Sequence, residues 1–359
     1  MATNKRQHFV PQCYLRRFSI DKTRKQICVY NLSKNRLVPV ASVKHQCTKN
    51  YIYATSEDLS LESDLAALEG IYGRIVTQME STLDKLEPEI IDILRMFVGL
   101  QYFRTDSSMT HLRDMYKSLM FYAYEDMGFE KPDDDLSDRE WMLQSLRAFL
   151  EFKGILDDLK CCVLINNTST QFITSDNPAL LFNRFLSRFR RQQTFGVGSA
   201  GIVMTMPITP SLAVLFYDGD VYTIEKDGRF TRTLSSAREV VILNEYQFLN
   251  CSRNLYSSRI ERLANLADKR SSLNTYRLDA RHSVFTGIET GKTPGGTRYR
   301  SASKEERMQS ESLVVGVSNM HPVPPRWPNF LRTRAKPRYF DNGSAAGPMR
   351  FHALDDRYI

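Results

Sequence analysis

The first candidate for chemistry is a histidine near the start of the sequence. His8 opens the stretch HFVPQCYLRRF, in which Gln12 is a second polar side chain and Tyr14, Leu15 and Phe18 are spaced like one face of a helix. An imidazole gains or loses a proton near neutral pH, so a histidine suits general acid or base catalysis. The stretch therefore fits two structures: a packed cap with a hydrogen-bonded His8, or a titratable group delivered to an active site.

A second candidate is the pair of polar side chains in GLQYFR, residues 99–104. Gln101 and Arg104 are three residues apart in an apolar segment with helical spacing, so they share one face of a helix. One interpretation is that they bind a substrate or an anion. The alternative is that they form buried hydrogen bonds to a neighbouring element.

The third candidate is FITSDNP, residues 172–178. This β-prone run delivers Ser175, Asp176 and Asn177 to its end, where a proline stops it. The same residue types are common in turns, where their side chains bond nearby backbone groups. The stretch predicts either a turn or a set of polar groups at the mouth of a site.

These stretches, together with PITP at Pro207–Pro210, resemble the family known as domain of unknown function 4238. The shared pattern is His-x-x-Pro-x-x-Tyr-Leu-x-x-Phe near the start, Gln-x-x-Arg on a central helix, Ser-Asp-Asn-Pro after a strand and Pro-x-Ser/Thr-Pro before the next strand. It extends over roughly residues 6 to 265. The family has no assigned activity. The resemblance implies a shared fold and the convergence of five polar residues, His8, Gln101, Arg104, Asp176 and Asn177.

A site built from these groups suits the cleavage of a phosphodiester. His8 would transfer a proton, Asp176 would orient the imidazole or act as the base, and Arg104 would neutralise a phosphate or a developing anion. One carboxylate among neutral amides is a poor ligand set for magnesium, and the sequence lacks paired-cysteine and phosphate-binding glycine motifs, so we expect neither a metal nor another cofactor. The remaining polar side chains would bind substrate or water: Gln12, Gln101, Ser175 and Asn177.

A basic stretch follows the third candidate directly. NRFLSRFRRQQTF, residues 183–195, alternates arginines with phenylalanines, and this composition is typical of proteins that hold phosphates and stack bases of single-stranded nucleic acid. The alternative is a surface helix with solvated arginines. The predicted substrate-binding residues of this stretch are Arg184, Arg188, Arg190 and Arg191.

The strands and helices that must position these residues are predicted to form an α+β fold. KQICVYNLSKNRLVPV predicts two strands of a small N-terminal antiparallel sheet around the turn Ser33-Lys34-Asn35. From about residue 58 to 156 apolar residues recur at helical spacing, which predicts a central helical bundle, with Ser137 as the N-cap of its last helix. A second antiparallel β region and a pair of C-terminal helices follow, so residues 1–284 are predicted to form one domain.

Charge separates the end of the chain from the rest. The net charge is +8, and from Arg281 onward 13 basic residues face 7 acidic ones, whereas residues 1–280 carry 36 and 34. Residues 285–359 are basic and rich in Pro, Gly and Ser, so we expect a flexible tail that is mostly disordered or ordered by a partner. Six scattered cysteines and the lack of a long apolar run predict a cytoplasmic protein that is neither secreted nor inserted in a membrane.

Two functions remain open at this point. The first is a cytoplasmic protein that acts on RNA or single-stranded DNA, with metal-independent nuclease activity at the His8, Arg104 and Asp176 pocket. The second is a non-enzymatic binding or scaffold protein whose polar motifs brace the junction between sheet and bundle. A hydrolase or transferase for a small anionic ligand is a third option. The first function requires the side chains of His8, Arg104 and Asp176 to lie together in an open cleft.

Overall fold

A computed structural model describes residues 6–54, 60–83, 86–127, 136–189, 193–293, 296–309, 313–343 and 347–354. The helices of these segments are α1 (Gln12–Leu15), α2 (Ser60–Ser81), α3 (Pro88–Phe103), α4 (Asp106–Met127), α5 (Asp138–Phe152), α6 (Ala237–Asn250), α7 (Ile260–Asp268), α8 (Arg270–Asn274) and α9 (Lys304–Gln309). The strands are β1 (Arg6–His8), β2 (Gln26–Asn31), β3 (Arg36–Ser42), β4 (Thr48–Asn50), β5 (Lys160–Asn166), β6 (Thr174–Ser175), β7 (Leu180–Phe182), β8 (Val203–Pro207), β9 (Leu212–Tyr217), β10 (Tyr222–Thr223), β11 (Thr231–Leu234), β12 (Asn254–Ser257), β13 (His282–Thr293), β14 (Gly296–Ser301), β15 (Leu313–Asn319) and β16 (Arg332–Thr333). The predicted α+β class is confirmed.

The central helices form because their sequences combine an apolar stripe with clear start signals. Proline occupies the beginning of α3, where its missing N–H costs no hydrogen bond. Ser137 caps α5 as predicted, and its hydroxyl and the Glu140 carboxylate form a reciprocal capping box. Inside the bundle the rings of Tyr72 and Phe97 stack with centroids 3.7 Å apart.

Two sheets flank these helices, and both are assembled from distant parts of the chain. The predicted hairpin of β2 and β3 is confirmed, but it belongs to a four-stranded sheet of order β3-β2-β12-β6. The second sheet has the order β11-β5-β9-β8-β7 and is antiparallel except at its edge, where β11 runs parallel to β5. All six residues of β9, LAVLFY, are buried, as expected for a strand covered on both faces.

The expectation of a mostly disordered tail is wrong for the described residues beyond 284. The strands β13, β14 and β15 pair in the order β14-β13-β15, and both β13 and β15 contact α4. The alternating β-branched residues of VFTGIET and LVVGVS explain the pairing. Glycines and polar residues between them give this region the composition of a linker, although it folds as a sheet.

The residues after β15 also pack on the body of the protein. The Trp327 ring lies 6.0 Å from that of Phe182 and 6.1 Å from that of Tyr246, measured between centroids. Arg350 is 2% exposed and forms an ion pair of 2.9 Å with Asp158. Much of the basic C-terminal region is thus part of the folded structure.

No helix among the described residues is both long enough and apolar enough to span a bilayer.

Histidines lie where the C-terminal sheet meets α4. His111 of α4 and His282 of β13 have ring centroids 5.7 Å apart. Nε2 of His111 hydrogen-bonds Oδ1 of Asn319 at 3.0 Å, and Nε2 of His282 hydrogen-bonds the Ser118 hydroxyl at 2.9 Å. Because His282 and Asn319 are direct partners across β13 and β15, these bonds attach one end of this strand pair to α4.

A third histidine of this junction, His321, is buried. The ring of His321 stacks on Phe195 with centroids 4.1 Å apart, and its Nε2 hydrogen-bonds the Phe195 carbonyl at 3.1 Å. Burial lowers the pKa of His321 from 6.5 to about 3, and the positive charge of Arg281 acts in the same direction. Burial also lowers the pKa of His111; the hydrogen bond to Asn319 and the charge of Asp114 oppose this, whereas Arg281 and His282 add to it.

We expect acid to weaken this junction. The unfolded chain binds a proton at His321 near pH 6.5 and the folded chain only near pH 3, so stability is lost as the pH falls through this window. Urea unfolding at about pH 7.5 and about pH 4.5 should show that His321→Gln loses about 2–3 kcal/mol less than the wild type on acidification. His352→Gln, at an exposed histidine, is the control and should match the wild type. An equal acid loss in His321→Gln and wild type would contradict this expectation.

Candidate functional site

The second stretch identified in the sequence meets the first, as the family resemblance implies. Gln101 and Arg104 lie at the end of α3, and both bind backbone of the N-terminal segment. Nε2 of Gln101 donates to the Phe9 carbonyl at 3.0 Å, and Nη2 of Arg104 donates to the His8 carbonyl at 3.1 Å. The two side chains therefore hold the main chain at His8, and these bonds do not involve the imidazole.

The Arg104 guanidinium is buried and has a counter-ion. Its side chain is 3% exposed and lies 2.5 Å from Oε1 of Glu69, while its Nε donates to the Tyr53 hydroxyl at 3.2 Å. Burial disfavours the charge, but Tyr53 and Glu69 outweigh it and raise the pKa of Arg104. An arginine already neutralised in this way is poorly placed to bind a phosphate.

The carboxylate of Asp176 is occupied by a backbone turn between α6 and β12. Oδ1 accepts from the Ser252 N–H at 2.9 Å, and Oδ2 accepts from the N–H groups of Arg253 at 2.8 Å and Asn254 at 3.0 Å. Burial raises the pKa of Asp176, and these three hydrogen bonds oppose the rise. The expected pairing of Asp176 with the His8 imidazole is not formed: Nδ1 of His8 faces Gln12, and its Nε2 has no hydrogen-bond partner among the described residues.

The neighbours of Asp176 join the helices to the sheet. The Ser175 hydroxyl donates to Oε1 of Gln247 at 2.7 Å. Oδ1 of Asn177 accepts from the Thr105 hydroxyl at 3.0 Å, and its Nδ2 donates to the Asn250 carbonyl at 3.3 Å. Because Thr105 follows Arg104 directly, the Ser-Asp-Asn stretch is tied to the Gln-x-x-Arg stretch.

Tyr14 links the remaining stretches. Its hydroxyl is paired with the Thr174 hydroxyl at 2.6 Å and donates to the Pro207 carbonyl at 2.8 Å, and the residue is fully buried. All four stretches are thus connected through hydrogen bonds. We call the linking set, Tyr14, Gln101, Arg104 and Asn177 with their partners, the brace.

His8 itself stands at the edge of this brace. Its side chain is half-buried, and Nδ1 lies 3.5 Å from Nε2 of Gln12, whose Oε1 accepts from Arg16 at 3.0 Å. Burial lowers the pKa of His8 from 6.5 to about 4, and the charge of Arg104 contributes. The imidazole is therefore neutral near pH 7 and is a weak base.

The two described arginines of the basic stretch, Arg184 and Arg188, have different surroundings. Nη1 of Arg184 donates to the Leu331 carbonyl at 3.2 Å, so this side chain holds a C-terminal segment. Arg188 is exposed and lies 5.9 Å from the centroid of the Phe185 ring. Arg190 and Arg191 lie outside the described residues.

The phenylalanines of this stretch are part of the core, which corrects their predicted use as stacking surfaces. Phe185 is 2% exposed and Phe195 is 6% exposed. Phe185 packs edge-on against Phe189 and Tyr339, with centroids 5.4 Å and 5.2 Å apart. Among the described residues of this stretch, the phenylalanines pack in or against the core, whereas Arg184 bonds a carbonyl and Arg188 is exposed.

A separate groove of about 980 Å³ lies between the C-terminal sheet and the loop at residues 194–199. Neither Asp nor Glu is among the described residues that line it. Sequence reasoning missed this groove because its sheet was taken for a disordered tail. The lining residues that bear on binding are Phe195, Gly196 and Gly198 of the loop and Phe285, Gly287, Arg298, Tyr299, Arg300 and Gly316 of the sheet.

Gln7 is a further polar residue that sequence reasoning missed. It is 2% exposed, and its Oε1 accepts from the N–H groups of Tyr53 at 2.7 Å and Ala54 at 3.1 Å. Its Nε2 donates to Glu62 at 3.0 Å. In the sequence, the position of Gln7 next to His8 was the only indication that it binds the segment at Tyr53 and Ala54.

The chain belongs to the family described as Protein of unknown function (DUF4238), whose family model matches residues 6–261. No curated protein and no solved structure matches the chain. The brace lies within the matched range, whereas the sheet side of the groove lies beyond it. Within the described parts of the chain, no group of three or more His, Cys, Asp and Glu side chains is placed to hold a metal ion.

Replacing Asp176 by Asn should destabilise the fold. The amide has the size of the carboxylate, but its NH2 group would face backbone N–H groups that need an acceptor. The remaining hydrogen bonds would also be weaker, because a neutral amide oxygen is a poorer acceptor than a carboxylate. We expect a loss of about 2–3 kcal/mol in the free energy of unfolding, measured by urea denaturation. Asp220→Asn, at an exposed position, is the control and should change little. A stable Asp176→Asn protein would show that the turn does not depend on this carboxylate.

Proposed function

We propose that this protein binds nucleic acid through the cationic hairpin of its C-terminal sheet and that the brace is structural. The single observation that supports binding is the groove, which has arginines and no carboxylate among its described lining residues. Phosphate groups are the polyanion that such a lining favours. The excess charge of the chain after residue 280 points to the same partner.

The cations concerned stand on the hairpin of β13 and β14. Lys292, Arg298 and Arg300 are all exposed there. Arg300 is already paired with Glu306 through Nη1 at 2.7 Å, but both side chains are exposed, unlike the buried Arg104, so the pair is weak and a phosphate can replace the carboxylate. Lys292 and Arg298 flank it on the same hairpin.

The proposal is for binding without cleavage. Arg104 is neutralised by Glu69, Asp176 is bonded to the turn after α6, and the pKa of His8 is too low for an efficient base near pH 7. The arrangement favours the second function considered from the sequence, in which polar motifs hold the sheet against the bundle.

A cytoplasmic location belongs to the same proposal. All six cysteines are unpaired, and five of them are buried. Free buried thiols are typical of proteins that fold in a reducing compartment. Nucleic acid is an abundant polyanion in the cytoplasm.

The test removes the three cations together. Lys292→Ala/Arg298→Ala/Arg300→Ala should bind labelled RNA or single-stranded DNA about tenfold more weakly, because each phosphate contact releases counterions. Fluorescence anisotropy between about 50 and 200 mM salt should show a log–log slope smaller by about 2 than in the wild type.

A matched control removes three exposed cations elsewhere. Lys34→Ala/Arg36→Ala/Lys44→Ala carries the same change in net charge on the opposite end of the sequence. It should retain nearly all of the affinity. The proposal fails if the wild type binds no nucleic acid at low salt, or if both triple variants lose the same affinity.

A further inference from the structure

We infer that the groove is a site for single-stranded nucleic acid whose bases stack on Phe285 and Tyr299. The inference rests on the proposed function and specifies its ligand. Both rings line the groove, with exposures of 38% and 42%. Large aromatic side chains this exposed inside a concave surface are suited to stacking on another flat group.

The Phe285 ring is held in place by a glycine. Phe285 and Gly316 are direct partners across β13 and β15. A Cβ atom at position 316 would lie 2.2 Å from Cζ of the Phe285 ring, so the ring lies across the space that a side chain would fill. A ring supported in this way is pre-ordered, and less conformational entropy is lost when a base binds.

Tyr299 is arranged similarly against a second glycine. A Cβ atom at Gly287 would lie 3.2 Å from Cβ of Tyr299 and 3.7 Å from its Cδ1. Gly287 pairs with Ser301, two residues beyond Tyr299 on the same strand, so Tyr299 is a diagonal neighbour. The glycine at position 287 thus allows the tyrosine to approach the floor of the groove.

The spacing of the rings fits two different bases. Tyr299 pairs with Glu289, which is four residues from Phe285 along β13. The Tyr299 ring leans toward Gly287 of β13, whereas the Phe285 ring lies over Gly316 of β15, so the two rings cover different strands. An extended strand crossing the sheet would place one base on each ring. Arg298 and Arg300 alternate with Tyr299 along β14 and also line the groove, so they would meet the phosphates at its edge.

A duplex would not use these rings. Its bases are stacked inside the helix and present only their edges, whereas a single strand can turn its bases toward an aromatic surface. The two exposed rings therefore favour a single strand over a duplex.

The test replaces each aromatic ring by leucine, which still covers the neighbouring glycine but cannot stack on a base. Phe285→Leu and Tyr299→Leu should each weaken binding of a short oligo(dT) about fivefold or more, because stacking on one base is worth about 1–3 kcal/mol. Duplex binding should not change, because it depends on the cations. Tyr276→Leu, at an exposed tyrosine outside the groove, is the control and should bind like the wild type.

An abasic oligonucleotide of the same length separates base contacts from phosphate contacts. It should bind the wild type no more tightly than oligo(dT) binds the leucine variants. In addition, Phe285→Trp should give a fluorescence signal that oligo(dT) quenches and the abasic strand does not.

The two proposals fail differently. If the leucine variants and the abasic strand bind as well as their references while the cation triple variant binds weakly, the stacking site is wrong and nucleic-acid binding stands. In that case the rings serve only to cover the glycines. If neither single strand nor duplex binds the wild type, the proposed function itself is wrong.

Discussion

The rest of the structure depends on the pairing of one buried charge. Arg104 is 2% exposed, and a guanidinium in such a place destabilises the fold unless a counter-charge lies beside it; its Nε and Nη2 have partners, whereas its buried Nη1 has none among the described residues. Glu69 supplies the counter-charge, Tyr53 supplies a hydroxyl and a ring 5.4 Å from the guanidinium carbon, and His8 supplies a carbonyl. These partners come from three separate parts of the chain. The charge is satisfied only when the N-terminal segment, α2 and the end of α3 all have their native positions.

The brace extends this constraint across the domain. Thr105, next to Arg104, bonds Asn177, and Asn177 bonds the end of α6. Asp176 fixes the turn that follows α6, and that turn leads into β12 at the centre of the four-stranded sheet. Every family stretch therefore contributes a bond between elements, which accounts for polar residues inside an apolar core. The groove lies mainly outside the family range, so fold and proposed binding are carried by different parts of the chain.

Much of the fold was predictable because its signals are local. The period of apolar residues from about 58 to 156 specifies the helices, Ser137 specifies the start of α5, and the turn at Ser33-Lys34-Asn35 specifies the hairpin of β2 and β3. The C-terminal sheet was not predictable in this way. Its strands contain Gly287, Gly291 and Gly316, which weaken a strand on their own and resemble a linker in composition. Pairing with each other and contact with α4 make them a sheet.

The candidate site shows the same division. By itself the sequence determined which polar residues stand out, which stretches belong together and that Gln101 and Arg104 share a helix face. Only the tertiary structure decided which atoms those residues bind. Asp176 was expected beside an imidazole and instead accepts from backbone N–H groups 76 to 78 residues further along the chain. The physical reason is that a side chain's partner depends on which distant backbone groups packing leaves without a hydrogen bond, and residue spacing carries no record of those groups.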